Sequence, residues 1–150
     1  MMKWISGVIM AAALAVPAVA DEDDVTRVPA SGSVAEVMDR LETAVTGAGA
    51  TVFARVDHGA GAEKVGMPIG ASQLLIFGNP ALGTPAIQAD PLAGLYLPLK
   101  VLVYEDAEGV WLVYESPAET FDDLAVPEDA EVIGKMTGAL AKLTGLAAGG

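Results

Sequence analysis

Cysteine is absent from this chain, and histidine occurs once, as His58. The first absence excludes disulfides, thiolate metal centres, iron–sulfur clusters and cysteine nucleophiles. The second excludes any site that needs two imidazoles from one chain. Basic residues are scarce as well: 8 Lys and Arg stand against 20 Asp and Glu over 150 residues, a formal net charge of −12. A surface that grips nucleic acid neutralises phosphates with clustered Lys and Arg, so no nucleic-acid partner is expected of this acidic chain. No G-x-S-x-G, P-loop, dinucleotide or calcium-loop pattern occurs. Gly59-Ala60-Gly61 is too short and wrongly placed to cradle a phosphate. The residues name no reaction and no cofactor, and they favour a non-catalytic binding protein over an enzyme.

What is present begins with a three-part start. Met1-Met2-Lys3-Trp4 carries one positive charge, Ile5 to Val16 is apolar, and Pro17 then leads into Ala18-Val19-Ala20. This is the layout of a secretory signal peptide, with cleavage expected between Ala20 and Asp21. The apolar run falls short of the roughly 20 residues that span a bilayer. No cysteine follows it to take a lipid. The expected organisation is a signal peptide over 1–20, an acidic N-terminal end over 21–24, and a single domain over 25–150. The product is expected to be periplasmic or secreted, with no membrane attachment after cleavage.

Val25 to Val28 predicts a short strand that Pro29 stops. Ser33-Val34-Ala35-Glu36 predicts a capping box, and Val34, Met38, Leu41 and Val45 follow at helical spacing up to Gly47-Ala48-Gly49. Thr51 to Asp57 alternates, with Val52, Ala54 and Val56 on one side and Phe53, Arg55 and Asp57 on the other. His58 to Gly61 predicts a turn, with one helical turn over Ala62 to Val65. Leu74 to Phe77 predicts a central strand, stopped by Gly78-Asn79-Pro80. Thr84-Pro85 predicts the start of a short helix. Leu99 to Glu105 and Val110 to Glu115 predict a hairpin across Asp106 to Gly109. Both of its faces are substantially apolar, so a helix or another subunit is expected to cover the second. Ala118 to Leu124 allows one helical turn. Glu128 to Thr144 predicts the last helix, which Gly134 and Gly138 either weaken or open to a close neighbouring backbone. The order is strand, helix, four strands, helix, which predicts an α+β domain with an antiparallel sheet and helices packed on one face.

Several separated stretches in this order resemble a family known as domain of unknown function 302. They are Ala54-Arg55-Val56-Asp57-His58, Phe77-Gly78-Asn79-Pro80 with Thr84-Pro85, and Leu97-Pro98-Leu99-Lys100-Val101-Leu102-Val103-Tyr104-Glu105. The resemblance runs from about Val25 to Leu124. It implies a β-α-β4-α arrangement, similar to TATA-binding-protein-like and helix-grip architectures. It implies no activity.

Candidate site residues follow from chemistry. His58 carries the one side-chain type whose unperturbed pKa lies near neutrality and stands beside Asp57, so the pair is the candidate catalytic or single-metal-ligand site, with Glu63 close in sequence. The structural alternative is a strand-end histidine bonded to a turn. Phe77, Gly78 and Asn79 are candidate ligand-binding residues: Gly78 lets a ligand approach the backbone, and Asn79 offers both donor and acceptor. Asn-Pro is also ordinary turn chemistry. Tyr104, with Tyr114 and Trp111, belongs either to a pocket or subunit contact or to core and sheet surface. Met38, Met67 and Met136 suit core filling better than a copper site. The reading that results is an exported homodimer that binds a small apolar or metal-bearing ligand. Its alternatives are a structural or interaction module without ligand, and an enzyme using His58 and Asp57.

Overall fold

The computed structural model describes residues 24–149, so the expected leader, the Ala20–Asp21 junction and most of the acidic end lie outside the described residues. The chain runs β1 (Val25–Ala30), α1 (Val34–Gly47), β2 (Thr51–Asp57), α2 (His58–Lys64), β3 (Ser72–Gly78), α3 (Pro80–Ala89), α4 (Ala93–Tyr96), β4 (Leu99–Asp106), β5 (Gly109–Glu115), α5 (Pro117–Thr120) and α6 (Glu131–Ala148). The five strands form one sheet in the order β1-β5-β4-β3-β2, with every neighbouring pair antiparallel. This is the α+β arrangement that the order strand, helix, four strands, helix predicts.

Period-two alternation decides which side chains are buried. Leu75 and Phe77 of β3, Val101 and Val103 of β4, and Leu112 and Tyr114 of β5 turn to one face and are buried under α1 and α6. The helices supply the matching stripes: Val34, Val37, Met38, Leu41 and Val45 from α1, and Leu140, Leu143 and Ala147 from α6. Each fully buried side chain of this size stabilises the fold by about 1.5–3 kcal/mol. A second apolar cluster lies beyond the sheet, where Val132, Ile133 and Met136 of α6 meet Ala86, Ala93, Phe121 and Val126. One helix thus serves both clusters, and the seam between them is where the site described below opens.

The opposite face of the sheet is different. Leu74, Ile76, Leu102, Trp111 and Val113 alternate with the core residues and are only half-buried, and neither apolar cluster among the described residues includes them. Arg27, Tyr104, Trp111 and Asp106 tile one end of this face. The Arg27 guanidinium lies 4.5 Å from the Trp111 ring centre and donates to Tyr104 Oη and Asp106. Trp111 Nε1 donates to Asp106 Oδ1 at 3.0 Å. That bond, with backbone donors from the β4–β5 turn, holds the Asp106 carboxyl below its ordinary range.

Several local expectations are corrected. Pro29 does not stop β1: the strand runs on to Ala30, because β1 is an edge strand with only β5 beside it and a missing N–H on the free side costs nothing. The alternation of β2 breaks where the register shifts between Val52 and Ala54. Past that bulge Arg55 pairs with the core residue Leu75, and Ala54 and Val56 move to the open face. Arg55 then reaches Asp39 at 2.6 Å and Glu42 at 3.2 Å on α1. α3 begins at Pro80 rather than Thr84, since Asn79-Pro80 is itself a cap followed by proline, and Pro85 sits inside the helix. α6 begins at Glu131, three residues after the expected start, and runs on to Ala148. Gly134 and Gly138 admit no close backbone: a Cβ at either would meet nothing within 4 Å.

The capping box forms as read, with Ser33 Oγ accepting from Glu36 N and Ser33 N donating to Glu36 Oε2. Arg40, part-way along α1, donates to the carbonyls of Ala147 and Ser31 and so ties the end of α6 to the β1–α1 turn.

Candidate functional site

At the end of β3 the sheet, α3 and α6 splay apart around a cleft of about 390 Å³. Phe77 and Gly78 of β3 with Leu99 of β4 form its floor, and Met136, Ala139 and Leu143 of α6 form one wall. Asn79, Leu82, Gly83 and Ile87 from the start and body of α3 form the opposite wall. Phe53 and Pro98 stand on the sheet side of the cavity. The volume falls within the range of small-molecule sites, and so does the composition, apolar with few polar groups.

Local sequence chemistry explains why the cleft exists. Proline at the first helical position ends β3 abruptly and starts α3 with Asn79 as its cap. Small residues also stand along the cleft's lining. A Cβ on Gly78 would lie 3.4 Å from Pro98 and 3.5 Å from Phe53, and one on Gly83 would lie 3.4 Å from Leu97. Ala139 presents only a methyl group from α6. The bulge in β2 falls at Phe53, whose side chain borders the cleft and is 58% exposed.

The polar chemistry of the cleft is sparse. Asn79 Oδ1 accepts from Ala81 N at 2.9 Å, which commits the oxygen to the helix cap and leaves the amide nitrogen as the group free to meet a ligand. Thr84 contributes a hydroxyl. Among the described residues no charged side chain lines the cavity. Proton transfer and nucleophilic attack both require titratable or activated groups. This arrangement offers shape, apolar surface, the Asn79 amide donor and a Thr84 hydroxyl.

Three of the residues singled out from sequence therefore converge: Phe77, Gly78 and Asn79 line one cavity. The others do not join them. Asp57 caps α2, with Oδ1 accepting from Ala60 N at 2.8 Å and Oδ2 accepting from Gln73 Nε2 at 3.1 Å. The expected flexible turn at His58 to Gly61 is thus the first part of a capped helix. His58 opens that helix and is exposed, while Gly59 behind it is buried so tightly that a Cβ would lie 2.6 Å from Gly70 O. Asp57 pairs with Gln73, five residues from Gly78 along β3, which at about 3.4 Å per residue is roughly 17 Å. Tyr104 lies on the open face of the sheet beside Arg27. Among the described residues no three His, Asp or Glu side chains gather into a set that could hold a metal ion.

The α6 wall was not found from sequence. Met136 and Leu143 stand at helical spacing in an apolar stripe of α6, and nothing in a stripe shows whether its partner is a side chain or a cavity. The α3 wall was missed for a simpler reason, because the helix was expected to begin at Thr84, after Leu82 and Gly83. A second depression of about 420 Å³, over Asp39, Arg40, Thr43, Ala44 and Leu146, is a shallow surface between α1 and α6 and encloses nothing.

Comparison with known proteins agrees with the fold. The chain resembles the crystal structure of an uncharacterized conserved protein DUF302 from Bacillus stearothermophilus, with a TM-score of 0.75 at 19% identity, covering 82% of this chain and 97% of that one. Over 87 residues it is 45% identical to the fluoride-specific ion channel FluC 1 of Brucella suis biovar 1 (strain 1330), covering 57% of this chain and 34% of that protein. The fluoride-specific ion channel FluC 2 of Brucella melitensis biotype 1 shows the same identity over the same length, which is 32% of that protein. The chain thus spans about a third of the length of these curated relatives. No helix among the described residues is long and apolar enough to cross a membrane. The family described as "Domain of unknown function DUF302" matches residues 26–143, most of the described chain, and the protein belongs to that family.

Proposed function

We propose that the protein is a non-catalytic carrier that holds a small apolar ligand in the cleft between its sheet and α6. The observation that supports this most directly is the cavity of about 390 Å³, apolar, without a charged side chain among the described residues, and lined in part by the small residues Gly78, Gly83 and Ala139. A protein that only needed a core would fill such a space, because unfilled volume forfeits packing energy. The reading extends to a homodimer and to export. Dimerisation is suggested by the half-buried apolar row Leu74, Ile76, Leu102 and Val113 on the open sheet face. Export is suggested by the leader-like residues 1–20.

One experiment addresses all three parts. Native mass spectrometry of protein purified from its own cells should show a chain that starts at Asp21, twice the chain mass, and a bound organic adduct. The variant Ala139→Trp fills the cleft from α6 and should lose the adduct while keeping the dimer. Wild-type protein free of any adduct, or an adduct retained by Ala139→Trp, would remove the carrier reading.

A second reading, an interaction module without ligand, draws on a different observation. The curated relatives are channels in which the part resembling this chain is only a fraction of the protein. The open face of the sheet carries Trp111, Tyr104 and Arg27, residue types that dominate binding hot spots. Under that reading Trp111→Ala abolishes association with a partner protein, and Ala139→Trp leaves it intact.

A further inference from the structure

The cleft's lining narrows what kind of molecule it can hold. We infer that its ligand is an uncharged, hydrocarbon-rich molecule bearing a hydrogen-bond acceptor such as an ester or ketone oxygen, which receives the Asn79 side-chain N–H. The inference rests on the carrier reading and adds the chemical class of the ligand.

Three observations carry it. First, among the described residues no Lys, Arg or His lines the cleft, and the chain has a net charge of −12. A carboxylate, sulfate or phosphate would enter without a counter-charge and against the field of the whole molecule, and burying an unpaired charge is strongly unfavourable. Second, no Asp or Glu among the described residues lines it either, so a cationic ligand gains no partner there. Third, the one side-chain amide at the site is oriented by its own fold. The Ala81 N–H must meet an acceptor, which fixes Oδ1 toward the backbone and turns Nδ2 into the available group. A donor at the end of β3, above an apolar floor of Phe77 and Leu99, selects an acceptor on an otherwise apolar body. Phe53 and Ile87 border the cleft and are 58% and 40% exposed, so such a body meets apolar surface before it is enclosed.

The test displaces a neutral fluorescent probe, N-phenyl-1-naphthylamine, from the full exported chain with three molecules of similar length: methyl decanoate, decanoate and undecane. Methyl decanoate should bind at least about tenfold more tightly than decanoate at neutral pH. Asn79→Asp keeps the helix cap and replaces the donor with an acceptor. It should weaken methyl decanoate about tenfold, the scale of one hydrogen bond lost in an apolar site, and leave undecane within about twofold. Decanoate binding as tightly as its ester, or equal loss of ester and hydrocarbon in Asn79→Asp, would overturn the ligand class while the carrier reading stands. That reading itself fails if the probe binds Ala139→Trp and a second cleft-filling variant, Gly83→Leu, as well as it binds wild type. The ester preference with its loss in Asn79→Asp, and probe binding abolished by either filling variant, is the supporting result.

Discussion

The two ends of β3 are built from opposite materials. At its start, Gln73 sits among Asp57, Arg55 and the acidic side of α1, within a few residues of His58. At its finish, Gly78 opens onto a cleft that no charged side chain lines among the described residues. The reactive side chains are at the first end, yet their bonds are already used: Asp57 caps a helix and binds Gln73, and Arg55 is shared between Gln73, Asp39 and Glu42. The second end has little reactivity and unfilled space. Chemically rich residues mark this protein's structural joint, and chemically plain ones mark its candidate site. A residue's reactivity is informative about function only after its bonding has been counted.

The largest effect expected along this strand is at its middle. Leu75 is fully buried between the two ends and packs under α1. Leu75→Ala should lower stability by roughly 2–5 kcal/mol, the range for truncating a buried leucine. Urea unfolding reads it, and a loss below about 1 kcal/mol would mean that the strand is not the common support of both ends.

A smaller effect is expected at the polar end. Asp57→Ala removes the cap of α2 and the partner of Gln73, and should cost about 0.5–2 kcal/mol, the scale of a lost N-cap. Probe binding in the cleft should be unchanged. Affinity that falls while the melting temperature holds would assign Asp57 a role at the ligand and erase the contrast between the two ends.

How much of this was legible in the sequence depends on the range of the interaction. The capping box at Ser33 and Glu36, the hairpin of β4 and β5 and the stripe of α1 are local, and each appears where its spacing says. The bulge at Phe53 is not local. It arises where β2 must pair with β3 and still carry Arg55 to α1, which no alternation pattern records. The site was half legible. Phe77, Gly78 and Asn79 stand out because a glycine and an Asn-Pro pair interrupt an apolar run. The facing wall, Met136 to Leu143, becomes part of a site only when α6 is laid against α3, and a void has no residue type of its own.

The smallest expected effect is at His58, and it tests the comparison most severely. Its chemistry makes it the natural first suspect, as the single side chain here whose unperturbed pKa lies near neutrality. Its position argues the reverse. It is exposed at the start of α2, no metal-holding cluster forms around it among the described residues, and the cleft opens at the other end of β3. An exposed residue outside special features usually contributes within about 0.5 kcal/mol, so His58→Ala should melt like wild type beside the large loss in Leu75→Ala. Wild type should bind the neutral probe with the same affinity at pH values on either side of the imidazole's ordinary range, and His58→Ala should match it at both. Melting as low as Leu75→Ala would show a buried structural histidine and contradict its exposure. Unchanged melting with a lost or pH-dependent ligand would show that the polar end takes part in binding after all, and the division between the two ends of β3 would have to be given up.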